Sequence, residues 1–317
     1  MINIIPLSNE GRDCYEDILA SVAQVYSANY PFMYCHSWAF DYIKGDGGTL
    51  LGSQIKCEWG NLEEYLEKYS GVKVVEMLLS HPTEALAVLK DYILNGKAVA
   101  FTIGLQYCEW HNFSGSHLTH TIVGCDINEK EILCIDCKPV KSGINLSIDS
   151  FLKGYAGKLL IFEQRDTDVQ GIEIFELIAG HMKELKKSEA YQDAFTALRA
   201  FADSMEKVDI NEECINCSDF DFWSSPIFNN INNLCVGRRQ YARYLQHVDS
   251  IKGTDRFNDA SSALLKCSDN FNMARSLLMK AKITGSSQPW INKASNLFRV
   301  TAGLEEEILK NIESIIR

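Results

Sequence analysis

No apolar run in this sequence approaches the roughly 18 residues needed to cross a bilayer. The opening stretch, Met1 to Arg12, has no basic segment followed by a long apolar one, so no secretory signal is expected. A basic excess is missing as well. The net charge of −11 argues against a nucleic-acid binder, which normally carries a basic face. Neither membrane nor nucleic acid is therefore expected as a partner. A fixed-period repeat, a low-complexity tract and the regular cysteine spacing of a small disulfide scaffold are also missing. The 11 cysteines are odd in number and scattered from Cys14 to Cys267. Without an export signal, they are expected to be mostly reduced and buried as small hydrophobes, which places the chain in the cytoplasm.

What is present is ordinary for a globular protein: 46% hydrophobic and 23% charged residues. A chain of 317 residues can bury two cores, and two domains are expected. Residues 1–165 mix helix and strand signals. Cys14 to Tyr26 reads as an amphipathic helix, with Ile18 and Val22 at helical spacing. Asp13, with Glu16 three residues on, has the pattern of a capping box, which starts that helix at or beside Cys14. Asn61 to Tyr69 and Pro82 to Leu94 read as further helices, the latter stopped by Asn95-Gly96. Strands are expected at Val72–Leu79, Ala98–Leu105, His120–Cys125 and Glu131–Ile135, and Leu159–Phe162 could add a further edge. Residues 169–317 carry only helical periodicity, in five segments: Ile172–Lys187, Ala190–Val208, Ile231–Ser250, Asp259–Lys282 and Trp290–Ile316. Arg165-Asp166-Thr167-Asp168 is the expected linker. The fold class is α+β, followed by a second, all-helical domain.

The chemistry concentrates on three residues. A cysteine attacks carbonyls as a thiolate, and a free thiol is mostly protonated at neutral pH. A helix N-terminus and a neighbouring imidazolium both favour the thiolate. Cys14, in the first turn behind Asp13, has the first of these. The unpaired first-turn N–H groups there can also receive an oxyanion. His120 opens a strand and can face that turn. Asp136 ends the next strand of the hairpin, and antiparallel pairing would bring it alongside His120 to orient the ring. Cysteine, histidine and aspartate on helix, strand and strand point to nucleophilic chemistry on a thioester, ester or amide carbonyl.

Residues 9–163 resemble the butirosin-biosynthesis H-type N-terminal domain family, papain-like acyltransferases of nonribosomal peptide and aminoglycoside pathways. The motifs that carry the likeness are Asp13-Cys14-Tyr15, Ser21-Val22-Ala23, Ser37-Trp38-Ala39-Phe40 and Leu66 to Val72. Beyond these lie His117-x-x-His120-Thr121-Ile122-Val123-Gly124 and Asp136-x-x-Pro139. The last two also resemble the histidine strand and Asp-Pro turn of bacteriocin-processing leader peptidases. The resemblance implies a papain-like fold, a triad of Cys14, His120 and Asp136, and an acyl group delivered as a carrier-protein thioester to a small-molecule amine. It implies no cofactor beyond the phosphopantetheine of the donor, and no metal. The glutamine that papain-like peptidases place upstream for the oxyanion hole is missing, and Asn9 is the nearest candidate. The helical half resembles the family only in being helical, and is expected to cover the substrate cleft.

Other readings stay open. Cys35-His36 is an adjacent pair, but consecutive side chains diverge. Cys108, His111, His117 and His120 could form a zinc site. Cys134/Cys137 and Cys214/Cys217 have C-x-x-C spacing, although positions 134 and 137 of a strand face opposite sides. His117 and Trp110 are candidates to line a substrate pocket, and Phe113 could join Trp110 in walling it. Arg239 with Arg243, and Lys183 with Lys186 and Lys187, form basic clusters suited to an acidic carrier protein or to a plain solvated surface. The same triad would serve a cysteine peptidase, amidase or thioesterase. The non-enzymatic alternative is a binding or scaffold protein with a decayed triad.

Overall fold

The computed structural model describes residues 2–8, 13–45, 49–111, 118–165, 173–215, 217, 224–285 and 288–317. In chain order the first elements are α1 (Cys14–Tyr26), the two-residue strands β1 (Asp41–Tyr42) and β2 (Ile55–Lys56), α2 (Leu62–Ser70), β3 (Val72–Leu78) and α3 (Pro82–Leu94). Then come β4 (Val99–Gly104), β5 (Thr119–Ile127), β6 (Glu131–Cys137), β7 (Val140–Ser147), α4 (Ile148–Gly154) and β8 (Tyr155–Gln164). The remainder is helical: α5 (Ile174–Leu185), α6 (Ala194–Met205), α7 (Ile210–Glu213), α8 (Pro226–Lys252), α9 (Asn258–Thr284) and α10 (Gln288–Ile316). Among the described residues, no helix is long and apolar enough to cross a membrane.

The chain divides into two compact units. The first comprises Met1–Met33 and Leu62–Gly171, and it is α+β. Its six-stranded sheet has the order β3-β8-β4-β5-β6-β7, and every pairing is antiparallel. Ala85, Leu89 and Ile93 fall four residues apart on α3, so they share a face. That face packs on Val99, Phe101 and Ile103 of β4, alternate residues of a strand, and on Ile122, Ile132 and Cys134 of the neighbouring strands. Helix α1 buries Ile18, Leu19, Val22 and Ala23. Its Ser21 Oγ lies 3.2 Å from Cys137 Sγ at the end of β6. Cys134 and Cys137 thus meet different neighbours and do not form a chelating pair.

The second unit comprises Tyr34–Asn61 and Ile172–Arg317. The long helices α8, α9 and α10 pack in sequence, with α6 against α10. Pro226 starts α8, and Gly253, with φ 62°, ends it in the left-handed conformation that favours glycine. The expected boundary near residue 165 is not the whole division, because Tyr34–Asn61 belongs to the helical unit. Phe40, Tyr42, Leu51 and Ile55 share one apolar core with Leu198, Phe201, Ile227 and Phe298. Trp38 Nε1 donates to Glu305 Oε2 at 3.0 Å, and Arg238 Nε donates to Glu305 Oε1 at 2.7 Å. The second unit is therefore not purely helical, since β1 and β2 pair antiparallel within it.

Two sheet features also depart from expectation. β8 lies between β3 and β4 instead of at an edge, and its Leu159–Phe162 stretch is buried accordingly. The edge opposite β3 is β7, whose sequence Val-Lys-Ser-Gly-Ile-Asn-Leu-Ser is mostly exposed and lacks the apolar alternation that marks a strand. Of the expected linker, residues 166–168 lie outside the described residues.

Candidate active site

Helix α1 begins where its cap dictates. Asp13 is extended, with φ −139° and ψ −177°, and its Oδ1 accepts from Glu16 N at 2.9 Å. Cys14 is thereby the first helical residue. The amides of Cys14 and Tyr15 belong to the first turn, which has no partners within the helix. All 11 cysteines are free, and only Cys14 and Cys217 escape full burial. Burial, reinforced by the charge of Asp136, pushes the Cys108 thiol up to about 12. Burial likewise pushes the Cys137 thiol up to about 12. Such thiols stay protonated and behave as core hydrophobes.

His120 lies on β5, across from Ile103 of β4, and is only 7% exposed. The β5–β6 register pairs Val123 with Ile135, so His120 and Asp136 lie just beyond the same end of that pairing. His120 Nε2 donates to Asp136 Oδ1 at 2.8 Å. An ionised carboxylate only accepts, so Nε2 carries the proton. The Cys14 side chain lies near enough to the ring to interact with it electrostatically. With Nε2 committed, Nδ1 is the nitrogen left for the sulfur.

Asp136 is wholly buried. Its Oδ1 accepts from His120 Nε2 and from Lys138 N, each at 2.8 Å. Its Oδ2 accepts from Trp110 Nε1 at 2.7 Å and from His111 Nε2 at 2.9 Å. Four donors fill the roughly four lone-pair positions of a carboxylate. Burial alone would raise the pKa of Asp136, but the hydrogen bond and charge of His120, with Trp110 and Lys138 N, hold it below the usual carboxylate range. Burial alone would lower that of His120. Here the Asp136 hydrogen bond and charge, with those of Cys14, outweigh it and raise the imidazole to about 9. The end of β6 is also fastened to α1. Lys138 Nζ lies 3.1 Å from Asp17 Oδ2, one turn beyond Cys14.

The three residues read from the sequence therefore converge. Trp110, expected to wall a pocket, has its indole N–H committed to Asp136. Asn9, Phe113 and His117 lie outside the described residues. Of the zinc set of Cys108, His111, His117 and His120, His117 lies outside the described residues. Among the described residues, the metal-capable side chains that cluster here are His111, His120 and Asp136, with ligand atoms within 4.8 Å of one another. Both imidazoles spend a proton on the carboxylate, so this is a hydrogen-bonded group. His111, named from the sequence only in an alternative zinc set, is the donor to Asp136 that sequence reasoning missed. Its only signal was its place in the loop before β5, and no pattern says how a loop folds back. Cys35 is buried, and His36 Nδ1 contacts Glu184 Oε2 at 2.9 Å in the second unit.

No protein-family model and no curated protein matches this chain.

Of the basic clusters, Arg239 and Arg243 are half-buried on α8. Lys186 pairs with Glu313, while Lys183 and Lys187 are exposed.

Proposed function

We propose that this chain is a cysteine-dependent acyltransferase that moves an acyl group from a carrier-protein thioester to an amine. The observation that carries the reading is the Cys14 side chain at a capped helix tip, in electrostatic contact with an imidazole that Asp136 orients. The first unit, a nucleophile-bearing helix packed on an antiparallel sheet that supplies histidine and aspartate, is on this reading papain-like. Acidic carrier proteins would dock through exposed lysines such as Lys183 and Lys187.

The chemistry needs no further group. His120 takes the thiol proton, and the Cys14 thiolate attacks the thioester carbonyl. The oxyanion of the tetrahedral intermediate is received by first-turn N–H groups of α1. As the carbon–sulfur bond to the carrier breaks, the imidazolium protonates the departing thiolate. An amine then attacks the acyl–enzyme, gives its proton to His120, and expels the Cys14 sulfur, which is reprotonated. One thioester and one amine become one amide and one carrier thiol.

Incubating an acyl carrier thioester with the protein, with and without a primary amine, tests the proposal. Amide formed only when protein and amine are both present supports transfer. Free acid as the main product despite saturating amine makes the protein a hydrolase using the same three residues.

A further inference from the structure

The second unit holds a cluster of side chains that the reaction above leaves unused. His181 and Glu184 stand three residues apart on α5, and the turn before Trp38 brings His36 onto them. His36 Nδ1 lies 2.9 Å from Glu184 Oε2, and His181 Nδ1 lies 3.2 Å from the same oxygen. On its other side, His181 Nε2 lies 3.0 Å from the backbone oxygen of Trp38. His181 is 2% exposed, whereas the Glu184 side chain is 59% exposed and that of His36 is 19% exposed.

Donor counting shows what this arrangement lacks. Both nitrogens of His181 face acceptors, a carbonyl and a carboxylate, and a neutral imidazole brings a single N–H. The carbonyl of Trp38 fixes that proton on Nε2 and leaves the Nδ1 lone pair aimed at the carboxylate. A carbonyl holding the far nitrogen is how metal-binding histidines are usually oriented. The ligand atoms of all three side chains lie within 4.8 Å of one another. Ligands about 2.0–2.1 Å from a tetrahedral Zn²⁺ stand about 3.3 Å apart. The observed 2.9 and 3.2 Å need only a small opening to match.

The turn that carries His36 is held by further contacts. The single proton of Ser37 Oγ is shared between Tyr34 O at 2.8 Å and Gly237 O at 3.0 Å, while Trp38 Nε1 is held by Glu305. Added to Gly237, a Cβ would stand 2.3 Å from Ser37 O, so α8 approaches this turn as closely as only glycine allows. Tyr241 packs on His181, with ring centroids 5.0 Å apart.

We propose that His36, His181 and Glu184 bind a divalent transition cation of the Zn²⁺ type, with the exposed side of Glu184 leaving a coordination position to solvent. Two imidazole nitrogens and a carboxylate suit Zn²⁺ and disfavour Mg²⁺, which prefers oxygen ligands. The ion would fasten the turn at His36 to α5. The proposal is independent of the reaction assigned to Cys14.

The test is Zn²⁺ binding to the chelator-stripped full chain by equilibrium dialysis, for the wild type, Glu184→Gln and His36→Gln. Losing a ligand should weaken binding by more than the 10- to 100-fold typical of losing an outer partner. Each variant should therefore lose one tightly held equivalent, and Mg²⁺ should not compete. Equal Zn²⁺ binding in all three proteins, or none in the wild type, overturns the proposal. Co²⁺ bound to the wild type gives a second readout that needs no variant. A visible tetrahedral spectrum without a thiolate charge-transfer band is expected, and a strong thiolate band would assign the metal to cysteines instead.

Discussion

His111 and His120 stand edge to face, their ring centroids 4.8 Å apart, each with Nε2 on a different oxygen of Asp136. His120 also interacts with the Cys14 side chain. The two imidazoles share one carboxylate but not one task, and this separates the variants below.

The alkaline limb of acylation should report His120. Its imidazolium protonates the departing thiolate and is held up to about 9 by Asp136 and Cys14 against the effect of burial. Second-order acylation rates should therefore fall above about pH 9. In Asp136→Asn that limb should move down toward the ordinary imidazole value near 6.5. A pH–rate profile with a trapping thioester checks both.

Stability should carry the same signature. A group whose pKa is higher folded than unfolded holds its proton more tightly in the fold. Its stabilisation is complete below the unfolded value near 6.5 and is lost as pH rises through about 9. The loss is on the order of 3 kcal/mol at most. Asp136 has the opposite sign, because its lowered pKa adds stability above the usual carboxylate value that is lost as pH falls through the folded one. Urea midpoints between pH 6 and pH 10 should decline in the wild type and be flatter in His120→Gln.

His111→Leu and Trp110→Phe each remove a donor to Asp136 Oδ2 and leave His120 on Oδ1. Loss of a buried donor should cost about 1–3 kcal/mol by denaturant unfolding. Acylation should stay within about tenfold of the wild type, whereas His120→Ala should lose several orders of magnitude. A loss in His111→Leu as deep as in His120→Ala would make His111 the base.

Much of this was legible in the sequence, and the exceptions have local causes. Pro82–Leu94 and the long helices follow from period 3.6 with proline and glycine at their ends. Cys14 follows from the Asp13 cap. β7 was illegible because a solvent-facing edge strand needs no apolar alternation. The membership of Tyr34–Asn61 was illegible because side chains of short, irregular segments are recruited to a core by tertiary packing. The four-donor shell of Asp136 depends on a loop returning to the sheet, and neither periodicity nor spacing encodes that return.

The helical unit offers an independent energetic check. Arg238 and Glu305 are each 1% exposed and paired, with Arg238 Nη1 also donating to Ala39 O at 2.8 Å. Glu305→Ala strands a buried guanidinium and should cost about 3–5 kcal/mol. Removing the exposed Lys56–Glu189 pair, 2.7 Å apart, should cost less than about 1 kcal/mol. Chemical denaturation of both variants makes the comparison.

The most direct measurement is intact-mass spectrometry after exposure to an acyl thioester, on the wild type, Cys14→Ala and His120→Ala. One acyl adduct on the wild type, mapped to Cys14, with none on Cys14→Ala and far slower labelling of His120→Ala, is the expected result. Equal labelling of wild type and Cys14→Ala, or no adduct with any thioester, would contradict the assignment of Cys14 as nucleophile.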